Sequence, residues 1–384
     1  MQNNYKPLNG YIEGYYGRLL NWEERDRIIV KLKKNKMNFY FYAPKEDDKH
    51  RLNWKTKYDS LWEQKFKQFC LNAKSNNIKI IVGISPGLNF NFVNFNEQIL
   101  KNKISKDFQI LLNKTLQFLN YGATEIGLLF DDLPNNFKNK YGTNISEGLI
   151  HAELANKLSF FLKKSIFVVP RIYADQLIFE DKKYLLEYGK NINKKNITFY
   201  SGKDVVSNNI SKNLLYKLSK IIPTKIVIWD NFYANDYCPR RLFLGPLIGR
   251  TDIKDLMINP TGLIETDLLI LDIVKATQNS DNQKVAWNLI ITKNKIPINF
   301  FNISKYFLKP DFGDCPKLSK FNVISKNIEN LDFLLWQWKT PLSREWFPFL
   351  LGLKHDLQLS KKELTSIRII KTQTKPMTKY LLEL

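Results

Sequence analysis

Between residue 10 and about residue 275, short apolar or β-branched runs alternate eight times with longer amphipathic stretches. The short runs have the length and composition of buried strands, and the longer stretches have the apolar period of helices. The predicted strand segments are GYIEGYYG, MNFYFYAP, IKIIVGISPG, TEIGLLFDD, IFVVPRIYA, NITFYSGK, KIVIWDNF and DLMINP. Strands that alternate with helices pair in parallel, and eight such units in about 250 residues are typical of an α/β fold, the (β/α)8 TIM barrel.

The rest of the sequence sets the limits of this predicted barrel. No GxGxxG or GxxxxGK[ST] turn follows a predicted strand, as would be common in an open doubly wound sheet. After Ala276 the alternation stops and aromatic residues recur with a helical period. We therefore predict a (β/α)8 catalytic domain over residues 1–276 and a mainly helical, aromatic-rich appendage over residues 277–384. The appendage either packs on the barrel or binds a partner, and exposed Trp336, Trp338 and Trp346 would favour binding.

Composition narrows the possible settings and partners of the chain. The net charge of +22 favours acidic partners. The lysines are spread along the whole chain, however, so compositional drift explains the charge as well, and we expect no nucleic-acid partner. No apolar run approaches the roughly 18 residues that span a bilayer. The first residues lack a secretory pattern and three scattered cysteines predict no disulfide framework, so the expected location is cytoplasmic. The oligomeric state is left open.

Two neighbouring carboxylates end the fourth predicted strand. Asp131 and Asp132 follow an apolar run and stand just before Pro134. Neighbours on a strand point to opposite faces, so the two side chains can share a pocket only if the pleat ends there. Two close carboxylates hold their protons unequally, which would provide the acid-like and base-like groups that glycoside cleavage needs. The alternative is that they cap a helix that starts near Pro134.

Polar and aromatic side chains also follow the other predicted strands. In a (β/α)8 barrel these strand ends form one rim, where the functional residues lie. The candidate binding residues at this rim are Gly14, Lys45, Tyr173, Trp229, Asp230, Asn231, Asp236, Tyr237 and Asn259. Aromatic rings suit the faces of a sugar and the polar groups suit its hydroxyls, so we expect a hydroxyl-rich ligand. The three histidines have no metal-ligand spacing, so neither a metal nor a cofactor is expected.

Seven segments, in order along the chain, resemble motifs of glycoside hydrolase family 84. This family comprises β-N-acetylglucosaminidases, including the O-GlcNAcases and enzymes once called hyaluronidases. The segments are GYIEGYYGR (10–18), YAPKEDDKHR (42–51), ISPGL (84–88), LLFDDL (128–133), SGKDVVS (201–207), IWDNFYANDYCPRRLFLGP (228–246) and INP (258–260). The sixth segment is long and highly specific, whereas the resemblance does not extend past residue 276.

The resemblance implies a (β/α)8 catalytic domain and retaining hydrolysis in which the substrate supplies its own nucleophile. The carbonyl oxygen of the 2-acetamido group attacks the anomeric carbon, and water then opens the resulting oxazoline. Asp131 matches the aspartate that holds and polarises the acetamido N–H. Asp132 matches the general acid that protonates the leaving oxygen and later activates water. The other matching positions fall into three groups. The residues that would contact the hydroxyl edges of the sugar are Gly14, Lys45, Asp236 and Asn259. Tyr173 and Asn231 would lie near the acetamide and the reacting centre, and Trp229 and Tyr237 would form apolar walls.

Several positions depart from the family pattern. Val169 and Arg171 stand where the animal enzymes have Cys and Thr in Cys-Pro-Thr-Glu-Tyr, and Tyr200 stands where Trp is common. Phe232 and Tyr233 replace an aliphatic–His pair. These changes bear on substrate preference, through the acetyl pocket in the case of Val169, and not on the reaction type.

The combined hypothesis is an enzyme, an exo-acting β-N-acetylglucosaminidase that removes O-linked GlcNAc from Ser or Thr of proteins. One alternative with the same chemistry is removal of GlcNAc from glycans or from hyaluronan-type polysaccharide. An alternative from another class is a non-catalytic GlcNAc-binding or scaffold protein.

Overall fold

Eight parallel strands form the centre of the molecule. The computed structural model describes residues 7–100, 104–142, 144–250, 252–278, 280–308 and 325–360. The strands are β1 (Asn9–Glu13), β2 (Phe39–Tyr42), β3 (Lys79–Ile84), β4 (Glu125–Leu129), β5 (Phe167–Val169), β6 (Ile197–Tyr200), β7 (Lys225–Asp230) and β8 (Leu256–Ile258). Each strand pairs with its neighbour in sequence, and β8 pairs with β1 to close the barrel. Every strand overlaps a predicted segment, so the predicted (β/α)8 barrel is confirmed.

Helices follow the strands and form the outer layer. They are α1 (Trp22–Lys34), α2 (Ser60–Ser75), α3 (Phe92–Leu100), α4 (Lys106–Asn120), α5 (Phe137–Tyr141), α6 (Glu147–Leu162), α7 (Tyr184–Asn191), α8 (Lys212–Ser219) and α9 (Ile264–Thr277). Several begin where a polar side chain accepts a hydrogen bond from the first turn, as Asn21 does for α1 and Asp59 for α2. The apolar period of the sequence predicts one long helical stretch from Asn96 to Asn120. The structure instead has two helices there, α3 and α4, because Ser105 caps a new start at α4.

The strands bury two separate sets of side chains because successive residues point to opposite faces of the sheet. One set fills the barrel interior and consists of Ile12, Phe39, Phe41, Ala43, Ile81, Leu129, Phe167, Val169, Phe199, Val227, Trp229 and Met257. The other set, which includes Tyr11 and Tyr40, packs against the helices. The ring centroid of Trp229 lies 5.6 Å from that of Phe41 and 5.7 Å from that of Phe199. These rings close the barrel beneath the carboxyl ends of the strands, where a ligand site can form.

The chain beyond residue 277 is mainly helical in its described part, as predicted. Its helices are α10 (Gln283–Lys293), α11 (Asn299–Ile303), α12 (Ser325–Trp336) and α13 (Pro341–Ser360). The Glu345 carboxylate of α13 accepts hydrogen bonds from the backbone N–H groups of Glu265 and Thr266 at 2.9 and 2.8 Å. Because Leu263, the N-cap residue of α9, provides no side-chain cap, the appendage supplies the missing acceptor.

The burial of the appendage tryptophans distinguishes between the two roles predicted for the appendage, packing on the barrel and binding a partner. Trp346 is fully buried and Trp338 is 7% exposed, while Trp336 is 54% exposed. The indole N–H of the buried Trp346 donates to Thr266 Oγ1 on α9 at 3.1 Å, which favours the packing role. The remainder of the predicted appendage, residues 309–324 and 361–384, lies outside the described residues. None of the described helices is both long and apolar enough to cross a membrane.

Candidate active site

The backbone at the end of β4 turns two neighbouring carboxylates into one cavity. The strand ends at Leu129, and Asp132 has a φ of +53°, in the left-handed region that costs a non-glycine residue about 1–2 kcal/mol. This turn ends the strand alternation, so Asp131 and Asp132 both line the same cavity. The next helix, α5, starts at Phe137 with no side-chain cap hydrogen bond. The helix-capping alternative is therefore not supported.

Asp132 is the more accessible of the two carboxylates. Its side chain is 33% exposed, and it accepts hydrogen bonds from the hydroxyls of Tyr16 at 2.9 Å and Tyr173 at 2.8 Å. Burial, followed by the nearby charge of Asp132, raises the pKa of both tyrosines well above the usual value of 10. The two hydroxyls therefore stay protonated and hold the carboxylate between two donors while one face remains open to solvent.

Asp131 is in a different environment. Its side chain is 8% exposed, and Oδ2 accepts a hydrogen bond from Lys45 Nζ, whose own side chain is 1% exposed. Oδ1 is buried and has no hydrogen-bond partner among the described residues. A buried polar atom without a partner costs about 1–3 kcal/mol, so a ligand N–H that reached Oδ1 would recover this energy.

The cavity has a volume of about 490 Å³, within the range of small-molecule sites. It is lined by Gly14, Tyr16, Asp131, Asp132, Val169, Tyr173, Gln176, Phe199, Tyr200, Ser201, Val205, Val206, Trp229, Asn231, Ala234, Asp236, Tyr237 and Asn259. The structure thus brings together nearly all of the predicted site residues. The exceptions are Lys45, which reaches the cavity through its ion pair with Asp131, and Asp230.

A hydrogen-bond network fixes the wall opposite the aspartate pair. Asn259 accepts from the backbone N–H of Gly14 at 3.1 Å and donates to Asn231 Oδ1 at 2.9 Å. The indole N–H of Trp229 donates to the same Oδ1 at 3.0 Å. Position 14 requires glycine, because a Cβ there would lie 2.4 Å from the indole ring of Trp229. Three strand ends are thereby held in one rigid wall.

The prediction that Asp230 binds the substrate is corrected by its position on β7. Since neighbours alternate, Trp229 and Asn231 face the cavity and Asp230 points away from it. Its carboxylate is 1% exposed and forms a two-pronged ion pair with Arg250, at 2.8 and 2.9 Å. Asp230 therefore stabilises the barrel and does not contact the cavity.

Val169 and Arg171, the two departures from the family pattern at the end of β5, have different positions relative to the cavity. Val169 lines the cavity, whereas Arg171 is buried beside it and binds Glu147 at 2.8 Å and Glu180 at 2.6 Å. Arg171 thus joins the start of α6 to the short 3-10 helix at 175–180. Its effect on a ligand is indirect, and only Val169 can shape the cavity directly.

We expect Glu147 to make stability depend on pH. Burial raises its pKa from an ordinary 4.5 to about 7 although Arg171 opposes the shift. Because the pKa of Glu147 is higher in the folded than in the unfolded chain, its protonation stabilises the fold fully below about pH 4.5. This stabilisation is lost as the pH rises through about 7. Compared with a Glu147→Gln variant, the unchanged chain should lose on the order of 1–3 kcal/mol of unfolding free energy between about pH 5 and pH 8. Urea unfolding at both pH values measures this, and an identical pH response of the two proteins would contradict it.

Three of the polar side chains that line the cavity, those of Tyr16, Gln176 and Ser201, were not singled out from the sequence. Tyr16 follows Gly14 by two positions, and this same-face spacing was an available signal. Ser201 follows β6 directly, so its position at a strand end was a second signal. No sequence pattern identified Gln176, because the 3-10 helix at 175–180 brings it to the cavity. Its side-chain oxygen accepts a hydrogen bond from the backbone N–H of Val205 at 2.7 Å. Within the described ranges, no three His, Cys, Asp or Glu side chains are grouped as metal ligands.

A closed (β/α)8 barrel with a carboxylate pair in an aromatic-lined cavity at its carboxyl rim is an arrangement that suits a glycoside hydrolase. A family model described as beta-N-acetylglucosaminidase matches residues 9–266, and the chain belongs to this family. This assignment agrees with the resemblance found in the sequence motifs.

Individual relatives are similar to the chain over different lengths. The protein O-GlcNAcases of Rattus norvegicus and Mus musculus are each 29% identical to it over 300 residues, which are 75% of this chain and 32% of theirs. The chain therefore spans about a third of the length of these curated relatives. Among solved structures, CpGH84B has a TM-score of 0.68 and 25% identity, covering 86% of this chain and 58% of its own. A mutant O-GlcNAc hydrolase from Thermobaculum terrenum has a TM-score of 0.72 and 23% identity, covering 91% and 82%, and this likeness shows the fold.

Proposed function

We propose that the chain is a retaining exo-β-N-acetylglucosaminidase in which the 2-acetamido group of the substrate acts as the nucleophile. The observation that carries this proposal is the unequal environment of two adjacent carboxylates in one cavity. Asp131 is buried beside Lys45 with one oxygen unpartnered, and Asp132 is one-third exposed between two tyrosine hydroxyls. Two carboxylates with different surroundings suit two different roles.

In the first step, Asp131 binds the acetamido N–H of the substrate through the oxygen that has no partner. This hydrogen bond orients the acetamido carbonyl toward the anomeric carbon and stabilises the positive charge that develops on nitrogen as the oxazoline forms. The Lys45 ammonium donates to the other oxygen of Asp131 and fixes the orientation of that carboxyl group, so that the unpartnered oxygen faces the substrate. Asp131 thus positions the nucleophile and does not bond to the sugar carbon.

Asp132 transfers the proton in both steps. As an acid it protonates the leaving oxygen, and as a base it removes a proton from the water that opens the oxazoline. The hydroxyls of Tyr16 and Tyr173 donate to its two oxygens and hold the carboxyl group in one orientation. Its partial exposure lets the leaving group depart and the water enter.

For the natural substrate, we propose GlcNAc linked to Ser or Thr of a protein. The names of the two curated relatives, protein O-GlcNAcase, support this choice. The cavity of about 490 Å³ is large enough for a single GlcNAc unit. Tyr237, with 51% of its surface exposed, lies where the remainder of a substrate would extend. The net charge of +22 favours the second candidate, an anionic polysaccharide such as hyaluronan.

Two chromogenic substrates test the reaction. The purified chain should hydrolyse 4-nitrophenyl β-N-acetylglucosaminide and should leave the corresponding β-glucoside, which has no acetamido group, unchanged. The first sugar product detected by NMR should be the β-anomer. Binding of GlcNAc without any hydrolysis would support the scaffold alternative instead. For the substrate class, GlcNAc release from a β-O-GlcNAc-Ser peptide should exceed release from hyaluronan oligosaccharides, and the reverse order would favour the polysaccharide.

A further inference from the structure

We propose that Arg51 is a positioning residue that holds the two aspartates in the same cavity by binding both of their backbone carbonyls. This inference rests on the proposed function for its kinetic consequences but not for its geometry. Arg51 is 7% exposed and is absent from the cavity lining, so it acts on the reaction through the aspartates and not on the sugar.

The geometry follows from the backbone turn at the end of β4. Arg51 Nη2 donates to the carbonyl of Asp132 at 2.8 Å, and Nη1 donates to the carbonyl of Asp131 at 3.2 Å. In a continuing strand, successive carbonyls point in opposite directions, so one guanidinium could not bind both. They converge on Arg51 only because Asp132 is in the left-handed conformation. The guanidinium therefore stabilises the conformation that turns both carboxylates into the cavity.

Arg51 is itself fixed by the loop that carries it. The neighbouring carbonyl of His50 accepts from the N–H of Ser85 at 3.0 Å, which joins the loop to the end of β3. The buried ammonium of Lys114 on α4 donates to the carbonyls of Lys49, Trp54 and Thr56 at 2.7, 2.6 and 2.9 Å. The loop is thus anchored on both sides of Arg51, and the guanidinium has a defined position.

A second contact holds the residue after the turn. Leu133 packs over Gly87, where a Cβ would lie 2.4 Å from the Leu133 side chain. Arg51 and Gly87 therefore fix the two ends of the Asp131–Leu133 turn. Leu133 packing restrains the direction of the chain, whereas among the described residues the guanidinium is the group that binds the carbonyls of both aspartates.

The test uses Arg51→Met and Arg51→Lys, with Arg27→Met as the matched control. Arg27 is an exposed arginine that pairs with Glu265 on the outer layer. Two β-GlcNAc substrates are compared, one with a 2,4-dinitrophenyl leaving group that needs no proton and one with a 4-methylumbelliferyl group. A misplacement of about 1 Å costs on the order of 100-fold in rate, so kcat of Arg51→Met should fall about that far. In kcat/KM, which reports the step that expels the leaving group, the fall should be at least tenfold larger for the 4-methylumbelliferyl substrate than for the 2,4-dinitrophenyl substrate. The KM for the 4-methylumbelliferyl substrate should change less than about threefold.

The lysine variant and a crystal structure separate positioning from general stability. Arg51→Lys should recover only part of the loss, because an ammonium does not provide the planar two-pronged donor. In crystals of Arg51→Met, residue 132 should leave the left-handed region and the two carboxylates should separate. An unchanged turn, or equal losses on both substrates, would overturn the proposal. If the unchanged chain hydrolyses neither substrate, the proposed function fails, while the crystal structure still decides the role of Arg51.

Discussion

Replacing Asp132 by alanine should lower kcat on 4-methylumbelliferyl β-N-acetylglucosaminide by about 10²–10⁴-fold, the usual contribution of a general acid or base. With a 2,4-dinitrophenyl leaving group, which needs no protonation, the first step should be much less affected. The physical reason is that Asp132 is the accessible member of the pair and is held in place by two tyrosine hydroxyls. The values of kcat/KM on the two substrates, which report the step that expels the leaving group, measure the difference.

Asp131→Asn provides the matched comparison. This substitution removes the charge that stabilises the developing oxazoline, so the decrease in rate should be similar for both leaving groups. Opposite results, a leaving-group dependence for Asp131→Asn and none for Asp132→Ala, would exchange the roles of the two aspartates. A fully active Asp132→Ala enzyme would contradict the proposed mechanism.

The second large effect concerns stability. Replacing Asp230 by alanine should reduce the free energy of unfolding by about 3–5 kcal/mol, because it leaves the guanidinium of Arg250 buried without its counter-charge. The side chains of Arg250 and Asp230 are 0% and 1% exposed, and their two-pronged pair joins the end of β7 to the loop that leads to β8. Equilibrium unfolding in urea measures the change.

The exposed pair of Lys212 and Asp252 is the control for this prediction. Its side chains are 69% and 62% exposed, so Asp252→Ala should cost less than about 1 kcal/mol. If Asp230→Ala were as mild as Asp252→Ala, the buried pair would not be a main support of the barrel. The comparison also tests the corrected role of Asp230, since a structural residue should alter unfolding more than KM.

Much of the fold could be predicted from the chain alone, because each strand and helix carries its own periodic signal. The strand from Glu125 to Leu129 and the capped start of α4 at Ser105 are local features of this kind. The division of the Asn96–Asn120 stretch into two helices was missed, since an apolar period can continue across a short break. The boundary between barrel and appendage at residue 276 stays a prediction, because α9 and α13 are joined by the Glu345 cap.

The candidate site was predicted as a set of residues but not as an arrangement. Motif positions and strand ends identified Asp131, Asp132 and Asn259, which do line one cavity. The alternation along β7 could have excluded Asp230, yet its partner Arg250 lies 20 residues away and no local pattern connects them. The pairing of Lys45 with Asp131 joins loops 86 residues apart, so it also required the folded chain.

The amino-acid sequence by itself determined the eightfold strand–helix alternation and the order of the motifs, since strand and helix periods arise from neighbours a few residues apart. Only the tertiary structure decided that Asp132 has a left-handed backbone and that Arg51 binds the carbonyls of both aspartates. It also decided that Asp230 forms a buried ion pair with Arg250 and does not line the cavity. These features depend on contacts between residues distant in the chain, and the closure of the barrel brings such residues together.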